Sequence, residues 1–202
     1  MTDSVDVLNA LKIVYTIYTL SVISLIGWFA LGLVNPKGKP RIVKPSTFYA
    51  YVGILITVGV AIHIVTFNKI PWVEIDFKRD SIQPAEVYKI EMKDHRYIFN
   101  GQDIKAGDIH IPCNEYVLFE VDSKDLTYGF GIFRQNNSMV LQMQVVPGNK
   151  NDLMWKFHKN GVYHLRSTEY SGPAGAHMYI KDVFEVSGCN EDDKYSQKGA
   201  DK

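Results

Sequence analysis

The chain has no net charge, 22 basic side chains balancing 22 acidic ones over 202 residues. Without an excess of either sign, no global field recruits nucleic acid. Cysteine is scarce: Cys113 and Cys189 are the only two, far apart, with no CxxC or Cys–His spacing. The chain also lacks a hydrolase triad pattern, a phosphate loop, a nucleotide fingerprint, internal repeats and low-complexity stretches. The most telling absence is local. Residues 13–36 and 45–68 carry no Asp, Glu, Lys or Arg. Each run exceeds the ~20 apolar residues that a helix needs to cross a hydrocarbon core. Backbone groups in lipid must be satisfied within their own segment, so both runs are expected to be helices. Asp3 and Asp6 stand against Lys12 before the first run, without the basic flank of a cleaved signal peptide. A retained membrane helix is expected.

The connection between the two runs, residues 35–46, lacks acid: its charges are Lys37, Lys39, Arg41 and Lys44. Cytoplasmic loops carry an excess of Lys and Arg, which places this loop inside and both termini outside. Trp28 falls towards the inner end of the first helix, and Trp72 fits an interfacial anchor past the second. The expected plan is an outer segment 1–12, two transmembrane helices within 13–68, a linker 69–85, an outer domain 86–187 and a polar, mobile tail 188–202. Pro71 and Pro84 discourage regular structure in the linker.

From Val87 the pattern changes to period two. Val87–Met92 and Asp108–Ile111 alternate apolar and polar, and further β-rich runs are Tyr116–Val121, Met139–Val146, Leu153–Phe157, Val162–Leu165 and Tyr179–Val186. Asn100-Gly101, Ala106-Gly107, Pro147-Gly148, Asn160-Gly161 and Gly172-Pro173 punctuate them. Short strands at this spacing predict an all-β sandwich or barrel. For Cys113 and Cys189 two readings stay open: a disulfide, which an outer compartment permits, or one buried thiol and one tail thiol.

Ser167-Thr-Glu-Tyr-Ser-Gly-Pro-Ala-Gly-Ala-His-Met178 has the frame Cys-x-Glu-x-Cys-Gly-x-x-His-x-x-Met. With Asp125-Leu-Thr-Tyr-Gly-Phe, Val146-Pro-Gly and Gly161-Val-Tyr, it resembles subunit II of the haem–copper oxidase superfamily, over nearly the whole chain. The resemblance implies a two-helix transmembrane hairpin followed by an all-β cupredoxin-like sandwich. It also implies that Tyr128, Ser167, Glu169, Ser171, Gly175 and Met178 stand at the positions that hold a dinuclear copper centre in the family, Glu169 through its carbonyl. Serine stands where both thiolates belong, tyrosine and glycine where both imidazoles belong. Copper in such a site needs soft thiolates and imidazoles. The expectation is therefore no catalytic, cofactor or metal residue in this chain, with haem and copper held by a polytopic partner, subunit I.

Without the copper relay, the simplest electron donor to such a complex is a membrane quinol, with oxygen as acceptor. Nitric oxide is the alternative acceptor, since the inner loop lacks the carboxylate found near a proton entry in many relatives. A freestanding tethered copper-handling or assembly module is a third reading. His177, two residues past the expected histidine, is read as solvent-exposed or hydrogen-bonding rather than as a ligand. His63, inside the second helix, is an ionisable group in a membrane run and a candidate contact for the partner or quinol. Tyr97, Phe99, Tyr128, Phe130, Tyr163 and Tyr170 are read as packing residues, with Tyr128, Glu169 and the two serines forming a polar network. The basic loop also suits anionic lipid heads. Localisation follows: the plasma or inner membrane, β domain on the outer side.

Overall fold

A computed structural model of the chain describes residues 4–34, 44–67 and 71–197. It divides into two compact units, residues 2–73 and 74–202. The basic positions Lys37, Lys39 and Arg41, the outermost N-terminal residues 1–3, Lys69 and residues 198–202 lie outside the described residues.

The first unit holds two long helices, α1 (Ser4–Val34) and α2 (Pro45–Phe67). Their most apolar stretches, Asn9–Gly32 and Pro45–Val65, have 24 and 21 residues. At 1.5 Å per residue these span roughly 36 and 32 Å, enough for a hydrocarbon core of ~30 Å. Neither helix is amphipathic, and large side chains such as Ile13, Leu25, Phe29, Ile54 and Ile64 are all more than half exposed. A helix apolar on every side belongs in an apolar surrounding. The hydroxyls obey the same rule: Thr16, Ser21 and Thr57 each donate to the carbonyl four residues back, at 2.8 Å.

The linker reading needs correction. Residues expected to be irregular form a short helix, α3 (Pro71–Lys78), followed by a 3-10 turn at Arg79–Ser81. Proline opens this helix, where its missing N–H costs nothing and its fixed φ suits the first turn. Within the second unit Ile75 is buried, and Arg79 pairs with Asp152 at 2.5 Å.

The second unit is the expected all-β sandwich, built of two five-stranded sheets. One sheet has the order β3 (Gln102–Asp103), β2 (Arg96–Phe99), β1 (Glu86–Lys93), β5 (Tyr116–Ser123) and β8 (Asp152–Lys156). The other runs β4 (Ile109–Pro112), β10 (Tyr179–Ser187), β9 (Gly161–Arg166), β6 (Tyr128–Phe133) and β7 (Met139–Val145). Two pairs are parallel, β1 with β5 and β4 with β10. Alternation does what it should: Tyr88, Ile90 and Met92 of β1 and Val117, Phe119 and Val121 of β5 point inward together. Phe119 sits at the centre, its ring 5.6, 5.4 and 5.9 Å from those of Tyr88, Phe130 and Phe184. Truncating such a ring to alanine costs about 3–5 kcal/mol.

The tail also departs from expectation. Cys113 and Cys189 form a disulfide, Cα atoms 5.3 Å apart, and the next residues fold back on the sheet. Asp193 and Ser196 are buried, Asn160 N–H donates to the Glu191 carbonyl at 2.8 Å, and Val162 N–H donates to the Ser196 carbonyl at 2.8 Å. Gly161 makes room for this, because a Cβ there would lie 2.7 Å from Ser196 Cβ. Residues 188–197 are therefore part of the domain.

Candidate functional site

Three connections meet at one end of the sandwich: the β1–β2 turn, the segment before β6, and the 167–178 loop between β9 and β10. Tyr128 opens β6 and is fully buried. Ser167 follows β9; its N–H donates to the Met178 carbonyl at 2.9 Å, and Met178 N–H donates to the Gly175 carbonyl at 3.1 Å. These bonds close the loop on itself and bring both serines, Gly175 and Met178 into one small volume. Gly172 has φ 92°, the left-handed conformation that lets the chain turn into the 3-10 segment Pro173–His177.

The hydroxyls are engaged differently. Ser167 Oγ accepts from the Gly129 N–H at 3.2 Å and donates to the Glu169 carbonyl at 3.3 Å. The Glu169 carbonyl thus bonds within the loop. Ser171 Oγ is buried and makes no hydrogen bond. It lies against Gly175, and a Cβ on that glycine would collide with it. An imidazole at 175 would require Ser171 to turn away.

Tyr128 does not join Glu169, as the sequence had suggested. The carboxylate it faces is Asp125. Asp94 N–H and Leu126 N–H each donate to Asp125 at 2.8 Å. Burial pushes the Asp125 carboxyl up, but these two N–H groups and the Tyr128 hydroxyl outweigh it, leaving the acid below its ordinary value. Burial, helped by Asp125 and Asp94 and opposed by the His95 N–H, holds the Tyr128 phenol above its usual value. The phenol is neutral at any ordinary pH. Tyr97, buried beneath, donates to the Gly129 carbonyl at 3.3 Å, and burial raises it as well.

The residue the sequence reading missed is His95. Asp94 and His95 form the two-residue turn between β1 and β2, both left-handed at φ 50° and 60°. Glycine or asparagine would suit those angles better, so histidine there is unusual. Its backbone N–H donates to Tyr128 Oη at 3.2 Å, and its Nε2 lies 2.7 Å from the Ser171 carbonyl. The ring stands edge-on to Tyr128, 5.6 Å between centroids. A single imidazole from a distant turn thus ties β6 to the site loop. The only sequence signal was a non-glycine pair closing a short hairpin.

The six positions offer two hydroxyls, a phenol, a thioether, a backbone carbonyl and a bare glycine. Both sulfurs that could become thiolates are joined in the disulfide. This set does not fit a dinuclear copper centre. Among the described residues no group of three or more His, Cys, Asp or Glu side chains is arranged to hold a metal ion. His177 is exposed at the end of its 3-10 turn. His63 lies 2.8 Å through Nδ1 from the Gly59 carbonyl, a bond along its own helix. Of the aromatics, Tyr97, Tyr128, Phe130 and Tyr163 are core, whereas Tyr170 is 85% exposed.

Two predictions follow from this packing. Gly129 lies so close under the loop that a Cβ would sit 2.6 Å from Glu169 N and closer still to Thr168. Because backbone cannot step aside as a side-chain tip can, Gly129→Ala should lose about 1–3 kcal/mol. Amide exchange should rise across 167–178 and stay unchanged in β1 and β5. The second concerns acid. A carboxyl depressed in the folded state adds stability above its unfolded pKa of about 3.9, and that stability is lost as pH falls through the folded value. Asp125→Asn should therefore flatten the fall in unfolding midpoint below about pH 4. An unchanged slope would mean that Asp125 is not linked to folding.

No family model matches the chain, and no curated protein matches it in sequence. Among solved structures it is similar to the periplasmic domain of subunit II of cytochrome oxidase (CoxB) of Bradyrhizobium japonicum, at 18% identity and a TM-score of 0.42, covering 52% of this chain and 86% of that one. A chain of a heme-copper terminal oxidase dimer solved by cryo-EM matches at 22% identity and a TM-score of 0.47, covering 68% of this chain and 99% of that one. Auracyanin B matches at 10% identity and a TM-score of 0.40, covering 52% and 91%.

Proposed function

We propose that this chain is subunit II of a membrane haem–copper terminal reductase, and that its outer sandwich works without the dinuclear copper. The observation that carries the reading is the site loop. The family's frame from Ser167 to Met178 is kept, while hydroxyls replace the thiolates and nothing replaces the imidazole at Gly175. Ser167 Oγ is committed to Gly129 and Glu169, and Tyr128 to a network with Asp125 and His95. The place is occupied by packing and hydrogen bonds.

In this role the chain relays no electrons. Its two helices anchor it beside the haem-bearing subunit I, and the sandwich covers that subunit's outer face. Electrons then enter the complex from quinol, and oxygen is the acceptor. Nitric oxide is the second acceptor to test, because the 35–46 connection has four bases and no acid. The disulfide supports an outer location for the sandwich, since such bonds persist in oxidising compartments.

The test is purification of the tagged full-length chain from its native membranes. A polytopic partner with a haem spectrum is expected, and quinol-driven consumption of oxygen against nitric oxide identifies the acceptor. Separately, the full-length chain expressed alone and incubated with copper should show no mixed-valence absorption. A chain that purifies alone with two tightly held coppers would overturn the proposal and favour a copper-handling module.

A further inference from the structure

The four sheet edges of the sandwich are not alike. β3 has only two residues. β4 is four residues long and ends in Pro112, which has no N–H to offer. β8 carries charge at Asp152 and Lys156, and Asp152 is held by Arg79 at 2.5 Å and Lys150 at 2.9 Å. Short strands, proline and charge are how natural sheets blunt an edge. β7 has none of these. It is seven residues long, and no charged residue occurs from Gln135 to Asn149. An irregularity opposite Ile132 and Phe133 disturbs its beginning, leaving Leu141–Val145 in regular register with β6. Gln142 and Gln144 are exposed there, while Leu141 and Val145 are buried.

We propose that β7 is the edge through which two copies of this chain pair, antiparallel, extending the sheet across a two-fold axis. The occupant follows from the chemistry of the strand. In a symmetric antiparallel pair the residue on the two-fold axis meets its own counterpart and the others meet residues equidistant from it, so a charge on the axis would meet its like. A charge-free strand escapes that penalty. The glutamine amide carries donors and an acceptor together, so Gln142 and Gln144 complement themselves. A charged partner strand would find nothing on β7 to match it. A strand pair of this length falls below the ~1,200 Å² typical of a specific interface. Confinement of both copies to one bilayer, through α1 and α2, supplies the high local concentration that such a small contact needs. This inference holds whatever reaction the complex performs.

The test uses the full-length chain in membranes, with single cysteines introduced as Gln142→Cys or Gln144→Cys and a control, Glu185→Cys, on β10. On mild oxidation, a covalent homodimer is expected at one of the two β7 positions, ~10-fold above the control, and Gln142→Lys with Gln144→Lys should weaken dimerisation by ~10-fold or more. Circular dichroism of the double-lysine variant should match the parent, which separates lost pairing from lost folding. A dimer formed equally at Glu185→Cys, no dimer at either β7 position, or cross-linking to a different polypeptide would each overturn the proposal.

Discussion

Removing the disulfide by Cys113→Ser with Cys189→Ser is expected to lower the stability of the β domain by about 4.5 kcal/mol, the loop-closure value for a separation of 76 residues. The two sulfurs lie just past the ends of β4 and β10, neighbouring parallel strands whose register pairs Pro112 with Ser187. The bond therefore closes a loop containing most of the sandwich, including β5 to β10, and restricts the unfolded chain far more than it alters native contacts. Trp155, partly buried against the core, offers a fluorescence reporter for that domain. Denaturant titration of the full-length chain in detergent should show the midpoint falling with the slope little changed. The parent treated with a dithiol reductant should behave like the double-serine variant. A loss below about 1 kcal/mol would mean that the tail contacts already hold the loop closed in the unfolded ensemble.

Most of the architecture was legible because it depends on local pattern. Charge-free runs of helix length gave α1 and α2, while alternation in two segments and β-rich composition in five more gave seven of the ten strands. β6 was not read as a strand because it does not alternate: Tyr128 to Ile132 are all buried, on both faces of the sheet, and two of the five are glycine. The reason for those glycines is non-local, since Thr168 of the site loop lies directly over Gly129 and Gly131. The disulfide was undecidable for the same reason. Nothing near Cys113 or Cys189 in sequence reveals that their strands are neighbours.

The site divides along the same line. Ser167, Ser171, Gly175, Met178 and Tyr128 were singled out by the family resemblance, and they lie at one end of the sandwich. What fills the space could not be read. His95 arrives from a turn 33 residues before Tyr128, and its effect comes from a left-handed backbone that a sequence rule would assign to glycine. Asp125 rather than Glu169 meets the phenol because the β1–β2 turn lies beside the start of β6. Charge patterning misled in the tail, where a run of polar residues looked solvated.

The tail supplies the second large effect, because its acidic run contains a buried charge. Asp193 is 2% exposed, and its Oδ2 lies 2.6 Å from Arg134 Nε, itself nearly buried. Tyr163 donates to the same oxygen at 3.4 Å, and Tyr195 N–H donates to Oδ1 at 3.0 Å. Burial first, then the Asp193 charge, pushes the Tyr163 phenol up, so it stays a donor. Replacing one partner strands the other charge away from water, and Arg134→Met or Asp193→Leu alone should cost about 3–5 kcal/mol. The pair itself need not be worth that much, because desolvation offsets most of its attraction. Combining the two substitutions should therefore recover much of the loss, giving a large coupling energy in the double-mutant cycle. Denaturant titration of the four full-length proteins measures it. Additive losses would show that Arg134 and Asp193 hold the tail through separate contacts rather than through each other.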